Sequence, residues 1–193
     1  RRFWNMLAHY HAQTWNGAEL ARALGVSEST VRRYLDLLTG VFMLRQLPPW
    51  FENLSKRQVK APKLYLRDSG ILHLLLEIPD EATLLGHPRL GASFEGFLIE
   101  SLLDHLRTDP GQAFFWRTQR GAELDLLVVR GRERLGFEVK YTSAPGLTPS
   151  MRTALTDLKL DRLDVLHAGK DTYPLAPRVR AVALCRLLRD VSP

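Results

Sequence analysis

Two apolar runs on either side of a short polar turn constrain the fold of this chain more than any other feature. Leu124–Val129 and Phe137–Tyr141 each have the length and composition of a β-strand, and Gly131-Arg132 lies between them. If the two strands form a hairpin that turns at Gly131-Arg132, symmetric pairing places Asp125 directly opposite Glu138. A register slip of one residue would send one of these carboxylates to the other face of the sheet.

Two opposed carboxylates indicate a metal site more than a structural pair. Like charges at directly opposed positions destabilise a strand pair, whereas a divalent cation such as Mg²⁺ takes oxygen ligands and removes the repulsion. Such a cation can polarise a phosphate and help to generate a hydroxide nucleophile. Lys140 projects from the same face as Glu138 and can stabilise charge in the transition state. We therefore predict a catalytic site at Asp125, Glu138 and Lys140 that holds Mg²⁺ or Mn²⁺; the alternative is a surface ion-pair ladder.

The rest of the C-terminal half alternates between helical and strand patterns. An apolar stripe predicts a helix over Ser93–Leu106, and a second helix is predicted over Thr148–Leu158. Short apolar runs predict further strands at 113–116, 163–167 and 179–184. This order predicts an α/β (α+β) layer fold.

The N-terminal half opens with three predicted helices, over residues 3–11, 18–24 and 28–38. Asn16 and Ser27 stand where N-caps belong, and Gly25 marks the turn between the second and third helices. The segment therefore resembles a helix-turn-helix. Strand-like runs at 41–47 and 63–66 follow, so the whole segment resembles a winged helix. Winged helices bind DNA, bind protein or pack domains together, and the residues leave these alternatives open.

The basic residues are unevenly distributed. The chain has 27 Lys+Arg and 21 Asp+Glu, and between Arg45 and Arg67 six basic side chains accompany the single acid Glu52. Such a cluster is a candidate footprint for a phosphate backbone, although a solvated loop is an equally good explanation. If DNA is bound, its affinity should fall steeply with salt. The DNA-binding residues that we predict are Ser29, Arg32, Arg33, Lys56 and Arg57.

Composition narrows the class of protein. A hydrophobic share of 45% is typical of a globular chain, and one cysteine excludes a disulfide framework. No apolar run approaches the ~20 residues that a membrane-spanning helix needs, so we expect a cytoplasmic protein without a membrane partner. Pro and Gly residues between 78 and 88 predict two domains, 1–88 and 89–193. We expect Cys185 to be a small core residue, and His9 and His11 to be surface residues of a helix.

The hairpin residues carry a resemblance to a known superfamily. Asp125 followed after a hairpin by Glu138-Val139-Lys140 resembles the core of the PD-(D/E)xK nucleases. That resemblance implies metal-dependent cleavage of DNA phosphodiesters, with Asp125 and Glu138 as metal ligands. It also implies a further ligand on the preceding helix, where Glu95 fits by position. The chain departs from the family name at Leu124, which stands where the motif has proline.

A second resemblance covers almost the whole chain. The succession of motifs is similar to the C-terminal half of archaeal-type AAA+ ATPases, in which a winged helix and a nuclease-like domain follow an ATPase module. The motifs are Pro62–Gly70, Gly91–Glu95, Trp116-Arg117, Gly121–Asp125 and Glu138–Lys140.

No glycine-rich phosphate loop ending in Gly-Lys-Ser/Thr occurs in the sequence, which begins at Arg1. We therefore expect a longer protein in which the ATPase module binds ATP and can form homo-oligomers. Two alternatives remain open. The nuclease fold can be an inactive arm that binds DNA or a partner, or the chain can regulate the ATPase without contacting nucleic acid.

Overall fold

The structure, a computed structural model, describes residues 2–51 and 61–192. Both helices and strands are abundant, so the predicted mixed α/β class is confirmed. The described residues form two compact units, one containing residues 2–47 and 61–97 and the other containing 48–51 and 98–192. The proposed domain limits 1–88 and 89–193 stay a prediction. Lys56 and Arg57 lie outside the described residues.

Three helices open the first unit, close to their predicted positions. They are α1 (Arg2–His9), α2 (Gly17–Leu24) and α3 (Glu28–Gly40). Both predicted N-caps are present: the Asn16 side chain accepts from the Glu19 N–H and the Ser27 hydroxyl accepts from the Thr30 N–H. The apolar faces of these helices pack into one buried cluster that includes Leu7, Leu20, Val31 and Leu35.

A small antiparallel sheet completes the core of the first unit. Its strands β1 (Gln13–Thr14), β2 (Leu44–Leu47) and β3 (Lys63–Leu66) lie in the order β1-β3-β2. The predicted strands β2 and β3 do pair, with Leu44 opposite Leu66 and Leu47 opposite Lys63. Helices α4 (Ser69–Leu75) and α5 (Glu81–Gly86) follow, and α5 lies within the Pro- and Gly-containing stretch. The long helix α6 (Leu90–His105) comes next.

The second unit is built on a six-stranded mixed sheet in the order β4-β5-β6-β7-β9-β8. The bounds are β4 (Ala113–Arg117), β5 (Glu123–Arg130), β6 (Glu133–Lys140), β7 (Arg162–His167), β8 (Tyr173–Ala176) and β9 (Val179–Ala183). Strands β4, β5 and β6 are antiparallel neighbours, whereas β6, β7 and β9 run parallel. Helix α7 (Pro149–Asp157) connects β6 to β7, and α8 (Leu187–Asp190) lies near the end of the chain.

One face of the β5–β7 region packs on α7. Met151 and Ala154 of α7 are completely buried against Leu124, Leu163 and neighbouring apolar side chains. Thr148 caps α7, because its hydroxyl accepts from the Met151 N–H at 3.3 Å. This packing fixes the start of β5 relative to α7, and therefore the strand on which Asp125 lies.

Two side chains lie where the sequence did not predict them. His11 is buried, because α1 ends at His9 and the chain then turns inward; its Nδ1 accepts from the Leu66 N–H at 3.0 Å. Cys185 is exposed, because β9 ends at Ala183 and the cysteine lies on a short 3₁₀ turn. Within residues 2–51 and 61–192, no helix combines the length and the apolar character needed to cross a bilayer.

Candidate functional site

The hairpin at the centre of the candidate site has the register that the sequence predicts. Strands β5 and β6 pair from Leu126 opposite Phe137 to Arg130 opposite Glu133, with Gly131-Arg132 as the turn. Gly131 adopts a left-handed φ of 59°, which glycine tolerates better than other residues. The symmetric pairing is thereby confirmed for residues 126–130 with 133–137, whereas the opposition of Asp125 and Glu138 lies one position beyond these pairs and stays a prediction.

Asp125 occupies the first position beyond the regular pairs. One of its carboxylate oxygens, Oδ2, accepts a hydrogen bond from the Val139 backbone N–H at 2.9 Å, and the residue is only 8% exposed. The hydrogen bond to Val139 therefore fixes the Asp125 carboxylate to the backbone directly next to Glu138. On the other side of β5, the pairing with β4 changes register between Phe114 and Trp116.

Glu138 and Lys140 form a short ion pair on β6. The Lys140 Nζ lies 2.7 Å from Glu138 Oε1. Glu138 is 6% exposed, whereas 42% of the Lys140 side chain is accessible to solvent. The ion pair therefore joins a buried carboxylate to an amine that extends toward the surface.

Helix α7 holds the beginning of β5 in place. The Ser150 hydroxyl accepts from the Glu123 N–H and donates to the Glu123 carbonyl, both at 2.8 Å. These two bonds lie two residues before Asp125 in the sequence. They fix the strand from the helix side, and the Val139 N–H fixes the Asp125 side chain from the hairpin side.

The structure brings three of the four predicted catalytic and metal residues together on one hairpin. The fourth, Glu95, belongs to the first unit, where it accepts from the Tyr65 hydroxyl at 2.6 Å and lies 3.3 Å from Lys63 Nζ. Among the part of the chain that the structure describes, no three His, Cys, Asp or Glu residues form a group able to hold a metal ion.

The predicted DNA-binding residues on α3 are accessible. Ser29, Arg32 and Arg33 are all exposed, and the Ser29 hydroxyl lies 2.8 Å from that of Ser27, the N-cap of α3. Helical spacing places Arg32 and Arg33 away from the buried positions Val31 and Leu35. The accessible cations satisfy one requirement for phosphate contact.

Two features near the hairpin, a buried histidine and a groove, were not predicted from the sequence. His167, opposite Lys140 in the parallel β6–β7 pair, is completely buried; its Nδ1 accepts from the Gly169 N–H at 3.0 Å. A groove of about 550 Å³ also lies beside the start of β5. It is lined by Thr118, Arg120 and Gly121 from the β4–β5 loop and by Ser150, Thr153 and Asp157 from α7. No local pattern reports either feature, since each depends on segments far apart in the chain.

Two protein-family models match the chain, and both are described as domains of unknown function. The DUF8612 model matches residues 1–82, and the DUF4143 model matches residues 90–187, which include the complete hairpin. The chain belongs to the DUF4143 family. The family description assigns no activity to the hairpin residues.

Two mycobacterial relatives of this DUF4143 chain are both called uncharacterized proteins. They are Rv2008c of Mycobacterium tuberculosis and Mb2031c of Mycobacterium bovis, and each is 50% identical to this chain over 192 residues. The matches cover all of this chain but only 43% of each relative, so the chain spans less than half of their length. No solved structure matches the chain.

Proposed function

We propose that this chain is the DNA-associated C-terminal region of an AAA+ ATPase and that its hairpin carries a metal-dependent phosphodiesterase site of the PD-(D/E)xK type. The observation that carries the proposal is the arrangement of Asp125, Glu138 and Lys140. Two nearly buried carboxylates occupy adjoining positions of one hairpin, and a lysine amine lies 2.7 Å from one of them. Charge of this density on two neighbouring strands is costly for the fold alone and is typical of a functional site.

The donor set is compatible with Mg²⁺ or Mn²⁺. Asp125 and Glu138 offer carboxylate oxygens, the ligand type that hard divalent cations prefer, and each carboxylate has two oxygens that can accept several contacts. A cation bound there would act as a Lewis acid on the scissile phosphate. Two protein ligands are consistent with Mg²⁺, which usually retains several waters in sites for phosphate substrates.

The residues of the chain have separate tasks in this proposal. The Val139 N–H orients Asp125, and the ion pair with Lys140 orients Glu138. Because the Lys140 side chain is partly exposed, its amine can turn toward a bound phosphate and stabilise the developing negative charge. The resemblance of the chain to the PD-(D/E)xK nucleases implies that Glu95 is a further metal ligand. In that role Glu95 would have to give up its contacts with Tyr65 and Lys63.

The wider assignment rests on the first unit and on the relatives. Three helices followed by the antiparallel β2–β3 pair support a winged-helix arrangement, in which α3 is the helix that enters a DNA groove. The greater length of the relatives supports a protein with a further module. In this proposal that module binds ATP and mediates any homo-oligomer, and Lys56 and Arg57 add phosphate contacts.

Cleavage of plasmid and branched DNA by the 193-residue chain, with Mg²⁺ or Mn²⁺ and with EDTA, tests the catalytic proposal. We expect Glu138→Gln and Lys140→Ala to abolish metal-dependent cleavage, because each removes one of the groups that face the substrate. Glu133→Gln, at the exposed turn end of the same strand, is the matched control and should cleave normally. Cleavage that persists in both Glu138→Gln and Lys140→Ala would contradict the assignment.

A second candidate function is a DNA- or partner-binding arm without turnover. The observation that favours it is the Glu138–Lys140 ion pair, which neutralises the buried carboxylate without a metal. This version predicts metal-independent DNA binding that weakens with salt. Replacing both Arg32 and Arg33 by Ala should make the negative slope of log K against log salt shallower by about 2, since each phosphate contact contributes about −0.9 to it. Arg152→Ala, an exposed arginine of α7, is the control, and an unchanged slope in the α3 variant would contradict DNA contact through α3.

A further inference from the structure

The C-terminal end of α3 exposes a set of large apolar side chains, here called the α3 patch. It consists of Tyr34, Leu37, Val41 and Phe42, all exposed to solvent. Phe42 is the most exposed of the four, at 74%, and Leu37 is 60% exposed. Isolated apolar side chains on a surface are ordinary, but a contiguous group is typical of an interaction site.

The patch occupies one face of α3, which differs from the face that enters the core and from the face that carries predicted DNA contacts. Tyr34, Leu37 and Val41 follow the spacing i, i+3, i+7 and therefore share a face. Val31 and Leu35 point into the core from a second face. Ser29 and Arg32, two of the three predicted DNA contacts on α3, lie on the third face. The apolar face is thus distinct from the face that enters the core, although the Tyr34 ring lies 5.6 Å from that of Phe3. Arg33 is the one proposed phosphate contact that borders it.

Phe42 adopts an unfavourable backbone conformation at the edge of the patch. Its φ is 60°, in the left-handed region, and it follows the end of α3 at the position where glycine is strongly preferred. The Phe42 N–H bonds to the Thr39 carbonyl and the Met43 N–H bonds to the Leu38 carbonyl, which is the Schellman pattern of helix termination. A bulky residue held in this conformation at an energetic cost is typical of a position where the side chain has a function.

Two arginines border the patch. Arg33 lies one helical turn before Leu37, and the Arg67 guanidinium lies over the Phe42 ring at 5.8 Å from its centre. Asp36 lies roughly 100° around the helix from Leu37, and its carboxylate accepts from the Gln46 side chain. A symmetric contact between two copies of this face would bring the two basic borders together, whereas an acidic partner would complement them.

We propose that the α3 patch docks an apolar, acidic segment of another protein. The apolar side chains of that segment cover Leu37, Val41 and Phe42, and its carboxylates lie near Arg33 and Arg67. The proposal is independent of the activity proposed for the hairpin, because it uses no residue of the second unit.

Selection from a displayed library of random peptides tests this proposal. The library is selected in parallel on the 193-residue wild-type chain and on the double variant Leu37→Ser, Phe42→Gly. We expect peptides rich in Asp, Glu and large apolar residues to be enriched on the wild type alone. A fluorescent copy of an enriched peptide should bind the double variant about thirty-fold more weakly, the loss typical of removing a central contact. It should bind the Leu188→Ser control normally, since Leu188 is equally exposed on another unit.

The folding readout separates binding from damage to the fold. Phe42→Gly places the preferred residue at the left-handed position, so its urea midpoint should equal or exceed that of the wild type while peptide affinity falls. Three results would overturn the proposal. The first is equal enrichment of peptides on the wild type and on the double variant. The second is a wild-type dimer in analytical sedimentation that the double variant no longer forms. The third is loss of duplex DNA binding in the double variant when no peptide distinguishes it from the wild type.

Discussion

Asp125 offers a substitution pair that separates the structural role of its carboxylate from the chemical one. The residue is 8% exposed, and its Oδ2 accepts the Val139 N–H at 2.9 Å. Asp125→Ala removes the acceptor and leaves that backbone donor buried beside the hairpin. Asp125→Asn has nearly the same shape and keeps an oxygen acceptor for the same bond.

The expected magnitudes follow from the hydrogen bond between the Val139 N–H and Asp125. An unsatisfied buried donor costs about 1–3 kcal/mol, so Asp125→Ala should lower the free energy of unfolding by that amount. Asp125→Asn should remain within about 1 kcal/mol of the wild type, because the change also removes a like charge next to Glu138. Both variants should lose the metal-dependent cleavage proposed for the hairpin.

Urea unfolding followed by far-ultraviolet circular dichroism measures the difference. At an m value of about 2 kcal/mol/M, Asp125→Ala should shift the midpoint by roughly 0.5–1.5 M, while Asp125→Asn should shift it little. Asp104→Ala, an exposed aspartate of α6, serves as the control and should change stability by less than about 0.5 kcal/mol. Equal destabilisation by Ala and Asn would refute the argument that the Val139 bond fixes the carboxylate.

Three further predictions concern the stability of the folded chain. Asp164 is completely buried between two arginines, so Asp164→Ala should cost about 3–5 kcal/mol in urea unfolding. Gly136→Ala should cost about 1–3 kcal/mol, because the added methyl group would lie 2.6 Å from Leu160 Cδ1. Gly91→Ala is the matched control: the space around Gly91 is open, so the added methyl group should stabilise α6. Burial lowers the pKa of His73 below 6.5, and the nearby His87 lowers it further. Because the unfolded chain then binds a proton more readily than the folded one, the free energy of unfolding should fall as the pH drops below 6.5. His73→Gln should reduce that pH-dependent loss.

The hairpin was predictable because its signals are local. Two apolar runs of similar length flank Gly131-Arg132, and this symmetry fixes which residues pair. The bond from Val139 N–H to Asp125 was not predictable, because it depends on where the regular pairing of β5 ends. Periodicity therefore gives the register of a hairpin, while the position of the Asp125 carboxylate depends on where the regular pairs end.

Other elements escaped the sequence because they are short or held by distant residues. Strand β8 contains Pro174 and lies at the edge of the sheet, where proline is tolerated but gives no strand signal. Glu95 fits a ligand position by its spacing, yet its partners Tyr65 and Lys63 lie on a strand about 30 residues earlier. Helix α4 did carry a usable signal, since Asp68 is its N-cap and accepts from the Ile71 N–H.

A crystal structure of the chain soaked in Mn²⁺, with anomalous scattering recorded, determines whether the hairpin carboxylates bind a metal ion. We expect an anomalous peak within coordination distance of both the Asp125 and Glu138 carboxylates, with the Lys140 amine displaced from Glu138. Crystals of Glu138→Gln grown and soaked in the same way should lack that peak. Mn²⁺ bound elsewhere in the crystal, with the Glu138–Lys140 ion pair intact and no peak at the hairpin, would contradict metal binding by these two carboxylates.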